Sequence, residues 1–213
     1  MTKPQKKVLK EIRNDFASNQ QMIRLLQGDV GSGKTVVALL SILISIDNNY
    51  QSCLVAPTEI LAFQHFKYFK DKFENLGLVV KVLTGSTKSS ERKILLNDLK
   101  NGSINLLIGT HAIFEQNVIF NNLGYAVIDE QHRFGVKQRS KIWEKNNPPP
   151  HVLIMTATPI PRTLTMSLYG DLDLSIIDEL PPGRKDVITV HRKDKNRLKA
   201  VSYTHLTLPT ILR

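Results

Sequence analysis

Eight consecutive residues near the N-terminus, Gly28-Asp29-Val30-Gly31-Ser32-Gly33-Lys34-Thr35, constrain the fold more than any other feature of this chain. They follow a short apolar run, Ile23–Gln27, and open a longer one, Lys34–Asn48. The spacing G-x-x-x-x-G-K-[ST] between a strand and a helix is that of a loop whose backbone N–H groups curl around a phosphate. The helix that follows adds a partial positive charge at its N-terminus. In such a loop Lys34 reaches the β- and γ-phosphates, and the Thr35 hydroxyl is a ligand for Mg²⁺. A glycine-rich turn with a chance lysine is the plainer alternative. The agreement of strand, loop and helix argues against it.

The rest of the chain repeats the same alternation. Further strands are expected at Cys53–Ala56, Val79–Leu83, Ile104–Ile108, Tyr125–Ile128 and Val152–Met155, and helices at Ile60–Leu76, Ser89–Asn101 and Arg139–Lys145. The N-terminal segment is also helical in pattern. Alternating strands and helices imply βαβ units, and so an α/β fold with a mostly parallel sheet covered by helices on both faces. Runs such as LVAP and LLIG suit strands buried on both sides. Asn146-Asn147-Pro148-Pro149-Pro150 reads as a loop, because three prolines cannot continue a helix. Pro181-Pro182-Gly183 reads as a domain exit, with Val187–Val190 as a possible next strand. Residues 1–180 are thus expected to form one lobe and 181–200 a linker and the start of another. The stretch from Val201 to Arg213 has no partner element and is expected to be a truncated or foreign tail.

A second motif supports the nucleotide reading. Tyr125-Ala126-Val127-Ile128-Asp129-Glu130 is an apolar strand ending in two acids. Paired carboxylates at a strand tip repel each other, and a cation relieves that cost. Mg²⁺ is therefore expected at Asp129, and Glu130 is expected to orient or deprotonate an attacking water. Together the two motifs define a P-loop NTPase and leave its nucleotide and class open. Gln131 and His132 directly follow the water-handling acid, and Thr156-Ala157-Thr158 follows another apolar strand. Hydroxyls at Thr156 and Thr158 are suited to report the state of the γ-phosphate to the acidic loop. A kinase or GTPase needs neither feature.

Charge adds a partner class. There are 29 Lys+Arg against 19 Asp+Glu, a net charge of +10, so a polyanion is a plausible partner. The single cysteine, Cys53, excludes an internal disulfide framework and a cysteine-cluster metal site. A reducing, cytoplasmic setting is the expectation that follows. No membrane partner is expected, since the longest apolar run, Val36 to Ile46, is short of the ~20 residues a bilayer requires.

The D-E-x-H and T-A-T boxes, in this order after the phosphate loop, resemble the superfamily-2 helicases and translocases. The resemblance extends through Gly28–Ala38, Ala56–His65, Leu83–Ser86, Gly109–Phe114, Ile128–Arg139, Thr156–Leu164 and Leu172–Arg184, and covers nearly everything from Thr2 to about Lys199. Within the superfamily these segments closely resemble the bacterial helicases that remodel branched DNA, and the transcription-repair translocases share much of the set; Gln131 and Ser32 favour the former. The resemblance implies a RecA-like lobe and ATP hydrolysis that drives movement on duplex or branched DNA. It gives Lys34, Asp129, Glu130, Gln131 and His132 catalytic roles. It also implies that Gln5 reads adenine, and that Pro57, Thr58, Thr84, Gly85, Thr110 and His111 line the DNA face, positioning phosphates without reading sequence. A turn or cap role is the plainer reading of each. Members of the family close two RecA-like lobes around ATP, with an arginine finger in the second. This chain is expected to supply one lobe, to lack the wedge domain that splits branched DNA, and to bind nucleotide with little hydrolysis. A missing finger can cost roughly 10³–10⁵ in rate. A nucleotide- or DNA-binding module without motor activity is the competing reading.

Several residues carry plainer expectations. Arg162 is expected to brace the T-A-T loop, and Arg184 to pair with an acid such as Glu179. His65 is expected at the surface or in packing, Trp143 at the edge of the core, and Cys53 as inert filling. Lys67, Lys70 and Lys72 are expected to form a solvated helix face.

Overall fold

Parallel pairing dominates the architecture, as seen in a computed structural model that describes residues 1–18, 20–129, 142, 145–158 and 172–179. In chain order the elements are α1 (Lys3–Phe16), β1 (Ile23–Gly28), α2 (Lys34–Asp47), β2 (Gln51–Val55), α3 (Glu59–Phe73), β3 (Val80–Leu83), α4 (Ser89–Lys100), β4 (Leu106–Gly109), β5 (Leu123–Asp129), β6 (His151–Thr156) and β7 (Asp173–Ile177). Short 3₁₀ turns follow α3 at Glu74–Leu76 and β4 at His111–Phe114. The strands form one sheet in the order β3-β4-β2-β5-β6-β1-β7, and every neighbouring pair is parallel. All strand C-termini therefore meet at one edge. The described residues lie within a compact unit, Met1–Pro181.

Because successive strand residues point to opposite faces, each strand feeds two cores. Leu26, Leu54, Val127, Leu153 and Met155 face Val8 and Ile12 of α1, Val37 and Ile42 of α2, and Phe69 and Phe73 of α3. Leu25, Cys53, Val55, Ala126, Ile128, Val152 and Ile154 join Leu95 and Leu99 of α4, together with Ile113, Phe114 and Ile142. Both faces are covered, which is why the strand sequences read as continuous apolar runs. Burying a side chain such as Phe69 or Phe73 contributes about 1.5–3 kcal/mol. Cys53 is fully buried, and burial pushes its thiol up to about 12, which keeps it inert at neutral pH.

Two polar clamps complete the frame. Gln51 opens β2 almost fully buried. Its amide donates to the carbonyls of Leu99 (3.0 Å) and Ile104 (2.8 Å), and its oxygen accepts from the backbone N–H groups of Asn121 (2.7 Å) and Asn122 (3.0 Å). Arg24 of β1 is 7% exposed. It donates to Asp15 (2.8 Å) and Ser175 (2.8 Å) and pairs with Glu11 at 3.4 Å, tying α1 to β1 and β7.

β1, β5 and β6 are longer than expected and β2 begins two residues earlier, because polar flanks such as Gln51 and Ser52 are paired rather than solvated, whereas β3 and β4 begin one and two residues later than expected. The helix expected over Ile60–Leu76 ends at Phe73 and tightens to 3₁₀ over its last turn, before Gly77 in a left-handed conformation (φ 69°). The β7 strand was not expected. It is an edge strand with Asp173 and Ile176 exposed, so it lacks the apolar run that marks the others. The helix expected at Arg139–Lys145 lies outside the described residues except at Ile142 and Lys145, and the strand expected at Val187–Val190 lies outside them entirely.

Candidate functional site

The site is built at the sheet edge where the parallel strands end. β1 stops at Gly28, the chain turns through Asp29–Ser32, and α2 starts at Lys34. Gly33 precedes α2 with φ 90°, a left-handed conformation that L side chains rarely adopt. A Cβ there would also meet Gln5 Nε2 at 2.3 Å. At Gly28 a Cβ would meet Ser32 Oγ at 2.6 Å, so glycine is what allows the loop to close on itself. No side chain caps α2, and its first turn contains no acid. The partial positive charge of that helix end is not neutralised from within its own first turn.

The loop's polar side chains fit an anionic guest. Lys34 Nζ donates to the carbonyls of Gly28 (2.7 Å) and Asp29 (3.0 Å), so the ammonium is folded over the loop. The Ser32 hydroxyl is buried without a hydrogen-bond partner. Leaving a buried hydroxyl unpaired is costly, and a phosphate oxygen would satisfy it. Thr35 lies half-buried one residue into α2.

Asp129 ends β5 opposite Met155 of β6, and Thr156 of β6 lies opposite Gln27 of β1. The carboxylate and the phosphate loop therefore share one edge, with β6 between them. Neighbouring strands lie about 4.8 Å apart, which separates the ends of β5 and β1 by about 10 Å. Among the described residues no group of three or more His, Cys, Asp or Glu could hold a metal on its own. A cation here would take its remaining ligands from phosphate and water, as Mg²⁺ commonly does. The Thr156 and Thr158 hydroxyls bond each other at 2.9 Å beside this edge. Glu130, Gln131 and His132 lie outside the described residues, as do Arg162, Trp143 and Arg184.

Gln5 is the N3 residue of a capping box at the start of α1. Its oxygen accepts from the Thr2 N–H at 3.0 Å, and its amide donates to the Ser32 carbonyl at 2.9 Å. It thus braces the phosphate loop from α1, a role its sequence position did not reveal. Each end of the amide retains capacity for one further hydrogen bond.

The residues expected to face DNA follow β2, β3 and β4 on the same edge. Thr58 caps α3, accepting from the Leu61 N–H at 3.3 Å. Thr84 is buried and bonds Ser86 Oγ at 3.0 Å. Glu59 accepts from the Ser86 N–H (3.0 Å) and hydroxyl (2.8 Å), and these bonds hold its carboxyl below the usual range. Gly85 and His111 are exposed, and Pro57 is half-buried. The Thr110 hydroxyl, like that of Ser32, is buried without a partner.

One contact at the candidate site was missed. His65 of α3, expected at the surface or in packing, hydrogen-bonds Asp129 Oδ2 through Nε2 at 2.8 Å. The two residues are 64 positions apart, and no local pattern pairs them.

Residues 2–167 match the DEAD/DEAH box helicase family, and the chain belongs to that family. Within it, the similarity is to the ATP-dependent DNA helicase RecG. The chain is 49% identical to RecG of Aquifex aeolicus over 99% of its own length and 28% of that protein's. It is 49% identical to RecG of Escherichia coli K12 over 96% of this chain and 30% of that protein. The chain therefore spans less than a third of these relatives. A solved structure of RecG bound to a three-way DNA junction superposes with a TM-score of 0.82 at 41% identity, over 96% of this chain and 27% of that one. A DEAD box protein from Methanococcus jannaschii, at TM-score 0.61 and 21% identity over 94% of this chain and 56% of that one, shares the fold. These neighbours are RecA-like helicase lobes, as expected from the sequence. No helix among the described residues is long and apolar enough to cross a membrane.

Proposed function

We propose that residues 1–180 form the ATP-binding motor lobe of a RecG-like DNA helicase, an enzyme that moves on duplex DNA and remodels branched structures such as stalled forks. The observation that carries this reading is the meeting of the Gly28–Thr35 loop and Asp129 at one sheet edge, with Thr156 on the strand between them. Bound ATP and Mg²⁺ would supply the scissile phosphoanhydride and the charge neutralisation that its hydrolysis requires. Lys34 would exchange its two carbonyl partners for β- and γ-phosphate oxygens. The loop backbone and Ser32 would cradle the phosphates, and Thr35 and Asp129 would hold the metal. Glu130 would orient and deprotonate the attacking water, with Gln131 and His132 beside it. Thr156 and Thr158 would relay the nucleotide state. Gln5, already fixed by Thr2 and Ser32, would read adenine with its remaining donor and acceptor.

DNA would lie across the outer part of the same edge, held by Pro57, Thr58, Thr84, Gly85, Thr110 and His111. Contacts of this kind position the backbone and leave sequence unread. A second RecA-like lobe would close over the nucleotide and supply the arginine finger. A cytoplasmic location would accord with action on DNA. Calorimetry with magnesium-ATP tests the nucleotide reading directly. The unaltered chain is expected to bind, and Lys34→Ala to weaken binding at least about tenfold, since a charge-assisted contact contributes roughly 1.5–3 kcal/mol. Absence of binding by folded protein, or equal binding by the variant, would refute it.

A further inference from the structure

The contact between His65 and Asp129 joins the expected metal carboxylate to a helix that also meets the expected DNA-facing segments. A carboxylate oxygen can only accept, so His65 Nε2 donates to Asp129 Oδ2, at 2.8 Å. Both side chains are largely shielded, at 13% and 14% exposed. The imidazole is itself anchored. One turn further along α3, the Phe69 ring lies 6.3 Å from it, centroid to centroid, and Phe69 meets Phe73 edge-on at 5.6 Å. Both phenylalanines are fully buried. His65 therefore stands on a rigid part of the helix.

The other end of α3 leads to the loops. Thr58 caps it, and Glu59 in its first turn clasps Ser86 of the segment after β3. His65 lies seven positions, about 10 Å of helix, beyond that cap. α3 thus bears on both halves of the sheet edge.

Resting on the nucleotide-site reading above, we infer that His65 is a positioning residue for the metal-binding carboxylate of Asp129. It fixes one carboxylate oxygen and leaves the other for the cation, and it makes α3 the support on which the metal site is set. Groups that orient a metal ligand from behind typically change metal affinity 10–100-fold when removed.

The test uses the full chain and a fluorescent, non-hydrolysable ATP analogue, titrated with Mg²⁺ and also with EDTA present. His65→Leu removes the donor. The Mg²⁺ concentration for half-maximal binding is expected to rise about tenfold, with the metal-free affinity for the analogue unchanged. His65→Gln retains an N–H donor and is expected to recover most of that loss. His65→Asn, whose amide is too short to reach Asp129, serves as a second disrupting variant and is expected to behave as His65→Leu does. Unchanged Mg²⁺ dependence in the disrupting variants, with normal binding by the unaltered chain, would overturn the role of His65 alone. An equal loss of affinity with and without Mg²⁺ would also overturn it, by showing a general structural defect. If the unaltered chain showed no Mg²⁺-dependent binding, the nucleotide-site reading would fail and the inference with it.

Discussion

Substituting Gly33→Ala tests whether α1 and the phosphate loop form one mechanical unit. Gly33 has φ 90°, and an alanine held in the left-handed region costs about 1–2 kcal/mol. Its Cβ would stand 2.3 Å from Gln5 Nε2, so the amide must move. Moving it breaks the bond to the Ser32 carbonyl and strains the one from the Thr2 N–H. Each such bond has a net value of about 0.5–1.5 kcal/mol. The total is about 2–4 kcal/mol, a fall in Tm on the order of 5–15 °C for a chain of this size. The structure also predicts a coupling. In a Gln5→Ala background nothing is left to displace, so Gly33→Ala should cost about 1–2 kcal/mol less than in the native background. Denaturant melts of the four proteins in the cycle measure this. Additive effects would mean that Gln5 does not pack on Gly33, and the bracing role assigned to it would be wrong.

Two further outcomes follow from buried polar groups. Gln51→Leu should destabilise by roughly 2–4 kcal/mol in urea unfolding, because the part-buried N–H groups of Asn121 and Asn122 lose an acceptor and the buried Ile104 carbonyl a donor; a loss below about 0.5 kcal/mol would show that water replaces the amide. His151 is held below its ordinary value of 6.5 by burial, outweighing the opposing pull of Asp15, and its Nδ1 accepts from the Met22 N–H at 3.0 Å. A histidine shifted down binds fewer protons folded than unfolded, so its stabilising share is present above pH 6.5 and declines as pH falls through that value toward the lower folded pKa. Tm should drop over that range, and His151→Asn, which keeps an acceptor, should flatten the slope; an unchanged slope in the variant would assign the effect elsewhere.

The phosphate loop was legible because its signal is local. Glycine, lysine and threonine at fixed spacing encode a turn and a helix start without help from distant residues. The strand runs were legible because burial on both faces leaves no polar alternation. What escaped was either partly exposed or long-range. β7 alternates exposed Asp173 and Ile176 with buried Ser175 and Ile177 and therefore carries no run. The Arg24 clamp on β1 draws on Glu11 and Asp15 of α1 and on Ser175 of β7.

Local chemistry in the chain thus determined the α/β class, the phosphate cradle and the acid at the tip of β5, since each depends on neighbours within a few residues. Only the tertiary structure decided the strand order that sets Asp129 two strands from Gly28. It alone turned Gln5 toward the loop and brought His65 to Asp129. Those contacts depend on how helices pack across a twisted sheet, and packing is a property of the whole set of buried side chains that no short stretch specifies.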